Sequence, residues 1–324
     1  MATRTILSID GGGIRGIIPA RILERIEAVT KKPTSALFDL VAGTSTGGIL
    51  ALGLTKPNAA HTGPALTATD LVKLYEEEGG AIFNRTLWHA VEALGQLNGP
   101  KYDGEGERAA LTRYLGGARL RDVRTKVLVT AYEIQDRLPF FFTSWRAVTD
   151  PSYDFDMVDV ARATSAAPTF FPPVQVVSSG VARAVVDGGV FANNPTMCAL
   201  ADAWKLWPGD DLLVVSLGTG NTDRAIPYER AKGWGLAQWA HPLAEILIDG
   251  VTDTVDYEAS EALGDGRSQY HRFQTDLPTT MQEFDDPAMV GALRDAADRL
   301  IVDKAVELEE LCGKLAGASV ARVA

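Results

Sequence analysis

Apolar positions change their period twice near the N-terminus. Arg4 to Ile9 is a short, nearly continuous apolar run, as in a strand buried on both faces. From about Ile17 the interval becomes helical. Ile18, Ile22, Ile26 and Val29 recur with Arg21, Glu24, Arg25 and Glu27 between them, and Pro19 suits a first turn. Phe38 to Val41 predicts a second strand and Gly48 to Leu54 a second helix. Two strand–glycine turn–helix units in succession predict an α/β fold with a largely parallel sheet. Later strands are predicted at Lys126 to Tyr132, Phe140 to Thr143, Ala182 to Val186 and Leu212 to Ser216. From Asp286 onward, Met289, Leu293, Leu300, Ile301, Leu308 and Leu311 recur at helical spacing among charges, predicting helices packed to close the sheet.

Composition narrows the picture. The chain has 324 residues, 46% of them hydrophobic, which is ample for a substantial core. It contains no long Ser/Gly/Pro tract, charge block or repeat that would mark a linker. The expectation is one domain over 1–324, with a catalytic core at about 4–220 and a helical part at about 235–318. The polar, glycine-dotted stretch from Lys56 to Gly106 is expected to cover the site. A net charge of −11 argues against a nucleic-acid partner and against strong attraction to anionic membranes. Cys198 and Cys312 lie in no metal or redox spacing and read as buried free thiols. Ile6 to Ile9 is too short for the apolar core of a secretory signal, and no run reaches the roughly 20 residues of a membrane span. A cytoplasmic protein with peripheral membrane contact is expected.

Three glycine-marked turns carry the candidate chemistry. Gly43-Thr44-Ser45-Thr46-Gly47 lies between a strand and an apolar helix, the context that makes G-x-S-x-G a nucleophile elbow. The competing reading is a tight turn in which Ser45 only caps the helix. Asp10-Gly11-Gly12-Gly13-Ile14-Arg15-Gly16 also links strand to helix. A dinucleotide loop would want an acidic residue ending a second strand, but Glu27 falls inside the first helix. A P-loop would want Gly-Lys-Ser/Thr, which is missing. Gly11, Gly12 and Gly13 read better as amide donors to an oxyanion, or else as a structural glycine turn. Arg15 adds charge or a structural ion pair, and Thr46 and Gly188 are supporting candidates. Asp187 ends an apolar strand and precedes Gly188-Gly189. That places a carboxylate at a sheet edge as a base, or as an Asx-turn closing the strand. None of His61, His89, His241 and His271 has such a setting. Asp10 reads as organising its own loop, Asp39 as a structural partner within a strand, and Asn193 and Asn194 as polar wall. Phe170 and Phe171 read equally as an acyl-channel lining and as core.

With these motifs in this order, the chain resembles the patatin-like phospholipases, a family of serine acyl hydrolases. Ile17-Ile18-Pro19-Ala20, Gly99 to Gly104, Ala166 to Pro173 and Ser216 to Gly220 extend the likeness over nearly the whole length. The resemblance implies a three-layer α/β/α sandwich of modified α/β-hydrolase type. It implies Ser45 as nucleophile, Asp187 as base, and Gly11 to Gly13 as the oxyanion loop. The implied activity is calcium-independent release of fatty acid from phospholipids or lysolipids, with no metal or cofactor, at a membrane surface or micelle. Plant members carry Asp-Gly-Ala where this chain has Gly189. The alternatives are an acyltransferase using the same serine and an inactive storage or binding protein. The sequence leaves open a homo-oligomer and a small-molecule activator.

Overall fold

The computed structural model describes residues 2–82, 104–222, 225–264, 267–281 and 285–321. Eight strands form one sheet: β1 (Thr3–Ile9), β2 (Leu40–Gly43), β3 (Lys126–Glu133), β4 (Leu138–Thr143), β5 (Val174–Ser178), β6 (Val181–Asp187), β7 (Asp211–Leu217) and, past a two-residue β8 (Asn221–Thr222), β9 (Gln269–Phe273). β10 (Asp276–Leu277) pairs with β8 apart from that sheet. The strand order is β5-β6-β3-β2-β1-β7-β9, with β4 also on β3. β1, β2, β3, β7 and β9 are parallel, whereas β4, β5 and β6 join antiparallel.

The two-residue period of the strands divides the core. Leu7, Ile9, Val41, Val127, Val129, Leu213 and Val215 point to one face. That face packs on α1 (Ile17–Thr30), α2 (Thr34–Leu37), α3 (Thr46–Thr55), α4 (Ala68–Ile82), α5 (Glu105–Leu115), α6 (Ser144–Thr149) and α7 (Met157–Ser165). Ile6, Leu40, Ala42, Leu128, Leu212 and Val214 point to the other. There, past the short α8 (Gly189–Ala192), they meet α9 (Thr196–Leu206) and, after α10 (Tyr228–Ala231), the long α11 (Leu236–Leu263). α12 (Val290–Asp303) and α13 (Ala305–Ala321) bury Leu293, Leu300, Leu308 and Leu311 in the first cluster, packed against α1. The result is the three-layer α/β/α arrangement.

Some local expectations shift. β2 starts two residues later than the apolar run, because Thr34–Leu37 forms a helical turn after Pro33 and Phe38 caps it. The region taken as helical after 235 also supplies β9, the sheet's edge strand, where Gln269, His271 and Arg272 break the apolar pattern. Cys312 is buried, but Cys198 is only partly so. Asp39 is the structural partner expected, accepting from the Thr5 N–H at 2.8 Å and lying 3.9 Å from Arg4. Of the stretch expected to cover the site, residues 83–103 lie outside the described residues.

Candidate active site

β4 occupies one edge of β3 from Leu128 to Glu133. The opposite edge therefore takes both β2, alongside Lys126–Val129, and β6, alongside Ala131–Glu133. β2 is parallel to β3 and β6 antiparallel, so the two strands run toward each other along one edge. Their carboxyl ends, Gly43 opposite Val129 and Asp187 opposite Ala131, stop about 7 Å apart along β3. Ser45 leaves β2 at this gap, and Asp187 faces it from the other side. Asp187 thus lies at the carboxyl edge of the sheet, as expected. Asp187 reaches the right level on a strand running the opposite way.

Ser45 has φ +54° and ψ −123°, a left-handed backbone that costs a non-glycine residue about 1–3 kcal/mol. Hydrogen bonds on both sides hold it there. Its N–H donates to Thr164 Oγ1 at 2.9 Å, and its carbonyl accepts the Ile49 N–H at 3.1 Å. Thr164 in turn donates to the Thr130 carbonyl at 2.7 Å. The Ser45 side chain makes no capping bond to α3, so the helix-cap reading does not hold. Thr46 enters the core and its hydroxyl pairs with the Tyr75 hydroxyl of α4. The Thr46 N–H, in the first turn of α3, has no acceptor among the described residues.

Asp187 is only 5% exposed. Burial pushes its carboxyl up from 3.8 to about 6. The neighbouring Ser45 hydroxyl and the Gly189 N–H, which donates to Oδ1 at 2.7 Å, pull the other way by favouring the charged form. No ion pair neutralises Asp187 among the described residues, so desolvation dominates. The Asp187 N–H donates to the Ala166 carbonyl at 3.0 Å. Gly188 lies so close to Thr130 that a Cβ would stand 2.0 Å from Oγ1. Its part is to let the chain pass.

The glycine loop sits over this gap with unequal roles. The Gly11 N–H is already committed, donating to the Asn193 carbonyl at 3.0 Å. It is therefore not an available oxyanion donor, which corrects the grouping of all three glycines. A Cβ on Gly11 would lie 2.4 Å from Asn193 Oδ1 and 3.3 Å from the Ser45 Cβ, so this glycine makes room beside the serine. The N–H groups of Gly12 and Gly13 have no acceptor among the described residues. Gly13 takes φ +57°, which glycine adopts without strain. Arg15 is buried in the 3-10 turn Gly13–Gly16. Asp10 turns away from the loop to a buried ion pair with Arg272 of β9. It anchors β1 to β9 and does not organise its own loop.

The remaining candidates separate. Asn193 lines the site through Oδ1 and donates from Nδ2 to Thr252 of α11 at 3.0 Å. Asn194 is buried and accepts from the Thr196 N–H at 3.0 Å. Phe171 is core, and Phe170 is half-buried. His61 is an exposed turn residue, and His271 lies 3.4 Å from Glu307. His89 and the side chain of His241 lie outside the described residues. Sequence reasoning missed Thr130, Thr164 and Thr219, whose hydroxyls tie the three turns together. Thr219 Oγ1 donates to the Gly11 carbonyl at 2.7 Å, and Thr130 and Thr44 pair at 2.7 Å. A lone threonine in a strand or helix carries no pattern of its own.

Comparison with known proteins identifies the family. The family described as patatin-like phospholipase matches residues 7–200, which includes all three glycine-marked turns. The chain is 34% identical over 287 residues to patatin-like protein 4 of Arabidopsis thaliana, covering 79% of this chain and 71% of that one. It is 36% identical over 294 residues to patatin-like protein 1 of the same plant, covering 79% and 70%. A Solanum tuberosum protein named probable inactive patatin-3-Kuras 1 is 34% identical over 320 residues, covering 89% and 83%. With that match spanning both strand ends that form the gap, the chain belongs to the patatin-like phospholipase family.

Proposed function

We propose that this protein is a serine lipid acyl hydrolase working through a Ser45–Asp187 dyad and a covalent acyl-serine. The observation that carries the reading is the collision course of β2 and β6. It sets a serine on a left-handed elbow against a buried carboxylate that has no ion pair among the described residues. Ser45 Oγ attacks the ester carbonyl while Asp187 takes its proton. The oxyanion is met by the Gly12, Gly13 and Thr46 amides, at the positive end of α3. The lysolipid or glycerol oxygen leaves with the proton held by Asp187. Water, deprotonated by the same carboxylate, then releases the fatty acid. A base with pKa raised to about 6 is ionised at neutral pH and stronger than an ordinary carboxylate. Backbone amides fill the electrophilic role, so the reaction is expected to proceed without calcium.

A lipid substrate also fits the surroundings. Val190, three residues past Asp187, is 46% exposed, and Leu243, Ile246 and Leu247 of α11 are exposed at helical spacing. No helix among the described residues is long and apolar enough to cross a membrane. The reading therefore has the protein meet lipid peripherally. With a net charge of −11, zwitterionic lipid is the favoured surface.

The test is a mass-spectrometric panel of phospholipids and lysolipids, run with and without a calcium chelator and with and without an acceptor alcohol. Free fatty acid in every arm is expected. Acyl transfer to the alcohol at the expense of fatty acid would indicate a transferase. Silence together with no fluorophosphonate labelling of Ser45 would indicate an inactive protein.

Gly12→Ala probes the oxyanion. The new Cβ would stand 2.3 Å from Thr219 Oγ1 and 2.6 Å from its Cβ. Thr219 holds the Gly11 carbonyl, so the clash passes into the loop. Turnover is expected to fall about 100-fold or more with KM little changed. A rise in KM alone would make the loop a ground-state binding feature.

A further inference from the structure

Glu107 of α5 is 3% exposed, and the cation that bears on it, Arg162 of α7, makes no ion pair with it among the described residues. Its Oε1 lies 2.6 Å from Ser165 Oγ, at the end of α7. Ser165 Oγ also lies 2.6 Å from the Ala161 carbonyl oxygen. A serine hydroxyl has one proton to give. With Glu107 ionised, two acceptors compete for that proton. With Glu107 protonated, its O–H donates to Ser165 Oγ, Ser165 donates to the Ala161 carbonyl, and each of the two hydroxyls has its own acceptor.

The turn braced in this way grips both halves of the site. Thr164 Oγ1 holds the Ser45 N–H at 2.9 Å. Ala166 has φ −73° and ψ 63°, and the Ala167 N–H donates to the Ser165 carbonyl at 2.8 Å, forming an inverse γ-turn. The Ala166 carbonyl holds the Asp187 N–H at 3.0 Å. Three consecutive residues thus carry the two backbone clamps and, between them, the hydroxyl that Glu107 touches.

We propose that Glu107 is a positioning residue that acts as a neutral acid, donating to Ser165 and so fixing the Thr164–Ala166 turn that aligns Ser45 with Asp187. This rests on the reading of Ser45 and Asp187 as the reacting pair. Burial pushes the Glu107 carboxyl up from 4.5 to about 7, against smaller opposing effects from Ser165 and from Arg162 of α7. The negative charge of Asp187 raises it further. Of the other elements packed on α5, α3 carries no charge, and the Glu78 carboxylate of α4 is engaged by Arg113 at 2.6 Å. Asp187 and Glu107 are coupled buried carboxyls, both raised by burial, and their two titration steps belong to the pair. The site works best after the first proton has left and before the second.

The experiment pairs the pH profile of kcat with carbon-13 NMR of glutamate carboxyls, comparing wild type, Glu107→Gln and Glu107→Ala. The wild-type profile is expected to rise through about pH 6 and to fall up to tenfold per pH unit above about 7. Glu107→Gln, a permanent donor, is expected to keep the acidic limb and lose the alkaline fall. Glu107→Ala is expected to run about tenfold below the wild-type optimum and to lack the alkaline fall, and the amide variant recovers that loss. By NMR, one glutamate carboxyl should titrate near neutrality in wild type and be missing from Glu107→Gln. The NMR titration is read on Ser45→Ala protein as well, so it decides the state of Glu107 even if no lipid is hydrolysed. A Glu107 carboxyl titrating near 4.5, or an alkaline fall unchanged in Glu107→Gln, overturns the proposal.

Discussion

Ser45→Ala is expected to lower acyl release about a thousandfold or more while leaving the fold intact. The hydroxyl makes no capping bond, and the backbone bonds that hold the elbow come from its N–H and carbonyl, which alanine keeps. Alanine also keeps the strained φ of +54°, so any fall in melting temperature should come only from the hydrogen bond that the Asp187 carboxylate loses. Ser45→Gly should be equally inactive but more stable than Ser45→Ala by about 1 kcal/mol. Glycine relieves strain of about 1–3 kcal/mol and gives part of it back as unfolded-state entropy. Lipid hydrolysis and thermal melts of the two variants side by side check this. A tenth of wild-type turnover surviving in either would remove Ser45 from the chemistry.

Asp187→Asn should be nearly as inactive, losing on the order of 1,000-fold with the removal of the base. It should also be more stable, in a pH-dependent way. The folded pKa of about 6 lies above the ordinary 3.8, so folding favours the protonated carboxyl. Its contribution is fully present below about pH 3.8 and is lost as pH rises through about 6. Above that, holding the buried charge costs about 3 kcal/mol. Asparagine has no charge to bury, and its Oδ1 can still accept from Gly189. The melting-temperature gain over wild type should therefore be small at pH 4 and grow to its full size by pH 7. A gain that is flat over this range would mean that Asp187 is not desolvated. The acidic limb of wild-type activity, rising through about pH 6, reports the same group from the functional side.

Much of the site can be read locally. A strand, a glycine turn and a helix within a dozen residues place Ser45 and the glycine loop, because a short turn leaves few geometries open. The single amides within those turns are less legible. Gly11, Gly12 and Gly13 look equivalent in sequence, yet only contact with Asn193, 182 residues after Gly11, shows that the Gly11 N–H is taken. Glu107 looks like any surface carboxylate in a charged helix. Its burial depends on α7 and on the turn after it, which no periodicity within α5 reveals.

The sequence by itself determined the α/β layering, the strand-end turns and the candidacy of Ser45 and Asp187. Each follows from period, glycine placement and residue chemistry over a few neighbours. Only the tertiary structure decided that β6 enters antiparallel and meets β2 end to end on one edge of β3. Strand direction is set by pairing between segments more than 50 residues apart, to which local periodicity is blind. That pairing brings the serine to a carboxylate more than 140 positions away. The burial that follows gives the carboxylate its raised pKa, since desolvation depends on everything packed around a group and not on its neighbours in the chain.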